Sequence, residues 1–358
     1  MQPKSLKKGD KVAIVSLSRG LLGMPFCKHE LDLGIKRLEE MGLIPVIMDN
    51  ALKDMDYLEA HPEARAHDLK QAFMDPEIKG IINAIGGFDT YKTIPYLMED
   101  EEFIEAVKKN PKIFTGFSDT TNNHLMLNRL GLSTFYGPCL LVDIAELDSE
   151  MLPYTKKYFD YYFEALDKME ITSSPVWYMD RKSYGVDELG KPREMVKETH
   201  GFEILNGEGK RTGKLYGGCI ESIYEAYVGG RYEEAAAVYQ KYNILPSDDE
   251  WKKKILFLET SDEKSTPEKL EEMLSYFKKK NILSLVQGVI FGKPIDEVYY
   301  EEYKQVISKV FEDIDTPVLY NVNFGHSVPR CIIPYDAKTI VDYGNKTITV
   351  DTKILSED

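Results

Sequence analysis

"KVAIVSLS" (residues 11–18), "HELDLGIKRLEEMGL" (29–43) and "IPVIMD" (44–49) follow one another near the start of the chain. The first and third are short apolar runs of the kind a buried strand needs, and the middle segment returns apolar residues at helical spacing. Together they read as strand, helix, strand. Two parallel strands require a crossover of this sort, and repeating it builds a mostly parallel sheet with helices on both faces.

The repetition continues. The patterns predict a helix over 62–75, a strand over 78–87 ("IKGIINAIGG"), a short helix over 90–98, a strand over 112–118 ("KIFTGFS") and a helix over 121–131. Between about 145 and 215 the texture changes. A tyrosine-rich amphipathic helix over 152–167 leads into a stretch rich in Gly, Pro and charge, which reads as a connector with an elaborated loop or hairpin. Alternation then resumes, with a passage at 215–227, strands over 253–260, 283–294 and 316–326, and helices over 266–281 and 299–311. The tail at 337–352 reads as a β-hairpin turning at Gly344-Asn345. A chain of 358 residues exceeds the roughly 250–300 at which single cores stop growing. The expected fold is therefore α/β in two domains. Residues 1–168 are expected to form an N-terminal unit with a mostly parallel sheet and flanking helices, 169–214 the connector, and 215–358 a smaller C-terminal α/β unit.

Composition narrows the partners. With 60 acidic and 45 basic residues the formal charge is −15, which on average repels a nucleic acid polymer or an anionic membrane surface and leaves a small molecule as the expected partner. No window approaches the roughly 18–20 continuous apolar residues of a membrane helix. The opening "MQPKSLKKGDKVAIVSLS" does not read as a signal peptide. Cys27, Cys139, Cys219 and Cys331 stand far apart, forming neither a CxxC pair nor a disulfide framework, so a reducing cytoplasm is the expected location. His-Glu-x-x-His is absent too, and neither a metal nor a cofactor is expected.

Functional groups in doubly wound sheets gather past the carboxyl ends of strands. Four places qualify: Gly86-Gly87, Ser118-Asp119, Glu259 and Gly325-His326. Ser118 lies between a strand and a helix in "GFSDTT", the setting of a nucleophile elbow, although Thr120 replaces the second glycine of G-x-S-x-G. Two readings stand at this point: a helix cap, or a nucleophile beside free helix N–H groups. A nucleophile needs a base. His124 follows six positions later, about 240° around a helix, and so faces away. His29, His61 and His67 fall on surface-patterned helices and His200 falls in the connector, whereas His326 follows a glycine at a strand end. Glu259, ending "KKILFLE", is either an edge residue or the carboxylate that orients His326. Gly86-Gly87 lacks dinucleotide-binding spacing and reads as a tight turn or as a backbone approach to a substrate oxygen. Arg330 and Lys92 read as solvated surface cations.

Taken jointly, "KKGDKVAIVSLS", "ARAHDLKQAFMDPEIKGIINAIGG", "GFSDTT", "GKLYGGCIES", "ILFLET" and "NFGH" resemble the LD-carboxypeptidase family, the S66 serine peptidases, in order and spacing over nearly the whole chain. The resemblance implies a Rossmann-like N-terminal domain, a Ser118-His326-Glu259 triad, oxyanion donors on the backbone N–H groups of Gly87 and Asp119, a site between the two domains, and a homodimer. Leu17 and Phe88-Asp89-Thr90 depart from the usual family pattern. Within the family, the connector resembles the MccF-like microcin-immunity branch, which implies an aminoacyl-nucleotide substrate. The alternative is a murein tetrapeptide in peptidoglycan recycling, and a rival of another class is a non-catalytic small-molecule binder. Gly86 is expected to touch substrate. Trp177 or Tyr178 is expected either to stack on a nucleobase or to pack the connector onto the body.

Overall fold

The computed structural model describes residues 1–351 and 353–356. Five strands open the chain: β1 (Lys11–Val15), β2 (Ile44–Ile47), β3 (Ile78–Asn83), β4 (Ile113–Gly116) and β5 (Phe135–Tyr136). They pair in parallel in the order β2-β1-β3-β4-β5. In this doubly wound order the winding direction reverses between β1 and β3, and the strand ends there form a crevice.

The remaining strands are β6 (Met169–Ile171), β7 (Val176–Tyr178), β8 (Met195–Lys197), β9 (Glu203–Asn206), β10 (Lys210–Cys219), β11 (Lys254–Glu259), β12 (Gly288–Gly292), β13 (Val318–Val322), β14 (Ile333–Pro334), β15 (Lys338–Asp342) and β16 (Thr347–Val350). Eight of them form a second sheet in the order β6-β16-β15-β10-β11-β12-β13-β9, parallel from β10 to β13 and antiparallel outside that block. Of the other three, β7 and β8 pair with each other, and β14 crosses over. It leaves the second half of the chain and pairs antiparallel with β5, placing Ile333 opposite Tyr136 at the edge of the first sheet.

Burial explains the patterns. Every residue of β4, β11, β12 and β13 is buried, as expected for strands covered on both faces, and each large apolar side chain so placed contributes about 1.5–3 kcal/mol. The helix Glu101–Lys109, which the sequence reading passed over, follows the usual end rules: Asp100 accepts a 3.0 Å bond from the Phe103 N–H, acids open it and lysines close it. The stretch 283–294, expected as one strand, instead completes a helical turn at Ile282–Leu285 before β12 begins. A short buried apolar run does not distinguish these two states by periodicity.

The connector does form a hairpin, with β7 antiparallel to β8. Buried Glu146 ties it to the first half, accepting from Arg181 Nη2 at 2.5 Å and from Arg193 Nε at 2.6 Å. The expected terminal hairpin is β15–β16; position 352 of its predicted span, and 357 and 358 of the C-terminal unit, lie outside the described residues. Among the described residues no helix is long and apolar enough to cross a membrane.

Candidate active site

Ser118 follows the carboxyl end of β4 with φ +63°, a left-handed conformation costing about 1–2 kcal/mol for a residue with a side chain. Its neighbours hold it there. The Ser118 N–H donates to the Tyr136 hydroxyl at 3.0 Å, and its carbonyl accepts from Thr121 Oγ1 at 2.7 Å. Ser118 is the first residue of the short 3-10 helix Ser118–Thr120, and the capping position belongs to Phe117. Its side chain lines a cleft instead.

Asp119 fixes this turn against two other strand ends. One carboxylate oxygen accepts from Ser18 Oγ at 2.5 Å and from the Thr90 N–H at 2.9 Å, and the other accepts from Asn122 Nδ2 at 2.6 Å. Burial pushes its carboxyl above the ordinary aspartate range against the pull of these donors. Its backbone N–H, in the first turn of a helix, has no intrahelical partner. Gly86 passes close by: a Cβ there would lie 2.8 Å from Ser118 Cβ and 3.3 Å from the Asp119 nitrogen. At Gly87 a Cβ would come within 2.2 Å of Ser18 Oγ. Gly86 lets the backbone after β3 run against the Ser118 turn, and Gly87 lets it run against the segment after β1.

His326 and Glu259 come from the second sheet. Glu259, only 2% exposed, ends β11 and is not an edge residue. His326 Nδ1 lies 2.8 Å from Glu259 Oε2, and the His326 backbone N–H donates to the same oxygen at 3.1 Å. A carboxylate at Nδ1 holds the proton there and leaves Nε2 as the acceptor. Gly325 permits the contact: its φ is +75°, and a Cβ would fall 2.3 Å from Glu259 Cγ and Cδ. Burial disfavours the charged ring, yet the Glu259 carboxylate outweighs it and raises the His326 pKa above its ordinary value; Asp262, 3.7 Å from Nε2, adds to the rise and Arg330 opposes it.

Ser118, His326, Gly86 and Gly87 line one cleft, with a cavity volume of about 130 Å³. Three arginines reach it: Arg19, Arg193 and Arg330. Arg330, expected at the surface, is 2% exposed. It pairs with buried Asp143 at 2.9 Å, donates to the His326 carbonyl at 3.3 Å and lies over the Phe117 ring. The partner stands 187 residues away, so no local pattern announces it. Lys92 pairs with Asp89 at 3.1 Å. Trp177 does not line the cleft; it is buried, with Lys293 Nζ 5.0 Å from its ring centroid. Tyr178 also lies outside the cleft lining, bridging to Val328 through the backbone. Of the other histidines, His124 is buried between Thr134 and Gly116, His29 bonds the Tyr184 carbonyl, His61 pairs with Glu63, His67 is exposed and His200 stacks on Tyr300.

The LD-carboxypeptidase N-terminal domain matches residues 12–137, and the LD-carboxypeptidase C-terminal domain matches residues 212–341. A probable murein peptide carboxypeptidase of Bacillus subtilis (strain 168) is 28% identical, over 99% of this chain and 95% of its own length. The microcin C7 self-immunity protein MccF of Escherichia coli is 24% identical, over 92% of this chain and 90% of its own. Among solved structures, an MccF-like protein from Streptococcus pneumoniae in complex with AMP superposes with a TM-score of 0.90 at 42% identity, covering 96% of this chain and 99% of that one. Both halves of the fold and the full length of its relatives agree: the chain belongs to the LD-carboxypeptidase family of serine-type carboxypeptidases.

Proposed function

We propose that the protein hydrolyses the amide joining an amino acid to a nucleotide, with Ser118 as nucleophile, His326 as general base and Glu259 as the group that orients His326. The observation that carries this reading is a histidine held through Nδ1 by a buried carboxylate on the cleft that Ser118 also lines. In the first step the Ser118 hydroxyl attacks the amide carbonyl while its proton passes to His326 Nε2. The carbonyl oxygen, now an anion, is received by the N–H groups of Gly87 and Asp119. Collapse breaks the C–N bond, and His326 returns the proton to the leaving nitrogen. Water, deprotonated by the same ring, then releases the acyl group from Ser118. The nucleotide half of the substrate rests on the likeness to the AMP-bound MccF-like protein. The likeness to the murein peptide carboxypeptidase supports a second reading, cleavage before the terminal D-alanine of a murein tetrapeptide. The proposal includes the cytoplasmic location and the homodimer that cysteine usage and family likeness suggest.

A panel of aminoacyl sulfamoyl adenosines and murein tetrapeptides, offered to the protein and to Ser118→Ala, tests the proposal. Release of the amino acid from the adenosine compounds by the wild type alone is the expected result. Turnover restricted to the tetrapeptide moves the assignment to the second reading. Binding without turnover by both proteins replaces the enzyme with a binder.

A further inference from the structure

Behind the cleft, Tyr136 occupies a position that the hydrolysis scheme leaves without a role. It is fully buried on the two-residue strand β5, outside the cleft lining. Its hydroxyl has two partners from opposite halves of the site. It accepts the backbone N–H of Ser118 at 3.0 Å and donates its own hydrogen to Glu259 Oε1. Glu259 Oε2 in turn faces His326 Nδ1. One chain of hydrogen bonds thus runs from the backbone of the serine to the imidazole.

We propose that Tyr136 is a positioning residue that holds the Ser118 turn in its strained conformation and tunes, through Glu259, the basicity of His326. The inference rests on the triad reading above. Three consequences of the geometry support it. The Ser118 N–H, occupied by Tyr136, is withdrawn from the oxyanion site and leaves that role to its neighbours. A carboxylate that accepts a hydrogen bond from a phenol spreads its charge away from Nδ1, so it stabilises the imidazolium less than a bare carboxylate does. The phenol itself stays protonated, because burial and the Glu259 carboxylate hold its pKa well above the ordinary tyrosine value.

Glu259 is the charged group facing Tyr136. Cys219 and Tyr335 beside it are pushed up by burial and remain protonated, and burial lowers His124 to about 3. His326 faces Glu259, Asp262 and Arg330. Removing the phenol hydroxyl changes the first of these and leaves the other two in place.

The test is the rate at which a fluorophosphonate labels Ser118, measured from pH 5 to 9. In this reaction the Oγ–P bond forms, the P–F bond breaks, fluoride leaves and the serine proton passes to His326, so the rate reports the neutral ring without requiring the natural substrate. Ser118→Ala must abolish labelling; if it does not, the triad reading fails independently of Tyr136. In Tyr136→Phe the plateau rate is expected to fall about tenfold or more, and the midpoint of the acid limb to move up by about one pH unit, as loss of a hydrogen bond to a charged group implies. Site-specific 3-fluorotyrosine at position 136, a stronger donor, moves the limb the opposite way and keeps the test open if the phenylalanine variant does not fold. A lowered plateau with an unmoved limb in both variants, or an unchanged profile, overturns the proposal.

Discussion

Gly325→Ala separates backbone strain from displacement of the carboxylate. The φ of +75° at this position costs a residue with a Cβ about 1–2 kcal/mol. The new methyl would also sit 2.3 Å from Glu259 Cγ and Cδ and 2.5 Å from Oε2. Carbon contacts settle near 3.5–4.0 Å, so the glutamate must move by about 1.2 Å or more. Its retreat is closed on another side, where a Cβ on Gly292 would lie 2.7 Å from Glu259 Cβ. Overpacking of this kind adds about 1–3 kcal/mol, for a total of about 2–5 kcal/mol. A displacement of 1 Å in a catalytic group costs roughly 100-fold in rate. Gly190→Ala is the control: its φ is +76°, and none of the described residues lies within 4 Å of the added methyl. It bears the backbone term alone and is expected to label at the wild-type rate. Urea unfolding gives the stabilities, and fluorophosphonate labelling gives the rates. Equal destabilisation of the two variants, or wild-type labelling by Gly325→Ala, would refute the steric argument.

Three further outcomes follow from charge. The reaction needs neutral His326, whose pKa is raised by Glu259 against the effect of burial, so the acid limb of kcat/KM is expected to have its midpoint above the ordinary histidine value of about 6.5. By linkage, the stability this histidine contributes is fully present below its unfolded pKa and is lost as pH rises through the folded one; the melting-temperature gap between wild type and His326→Gln should therefore narrow with rising pH, and a widening gap contradicts the assignment. Arg330→Met leaves Asp143 buried without its partner and is expected to lose about 3–5 kcal/mol in urea unfolding, whereas replacing both residues with apolar ones loses less. Equal losses in the single and double variants would show that the pair is not the source.

The sheets were legible because strands buried on both faces are written as apolar runs, such as "IFTG" and "KILFLE". Ser118, Glu259 and His326 were legible for a related reason: each stands where such a run stops. Arg330 and Tyr136 were not. A salt bridge to a residue 187 positions away, or a phenol joining two strands 123 positions apart, leaves no periodicity behind. The burial of Trp177 was not legible either, because an indole in a polar connector suggests exposure and the lysine beside its ring comes from a distant part of the chain. The strand Ile333–Pro334 was hidden by its length, since two residues carry no alternation.

That short strand governs how the halves relate. By pairing with the edge of the first sheet, it sews the late chain back into the early one beside Tyr136. A polypeptide cut within the connector would therefore leave its first fragment without β14 and its second with a strand that has lost its partner. A stitch at that point also means that any wide swing between the halves must first break it.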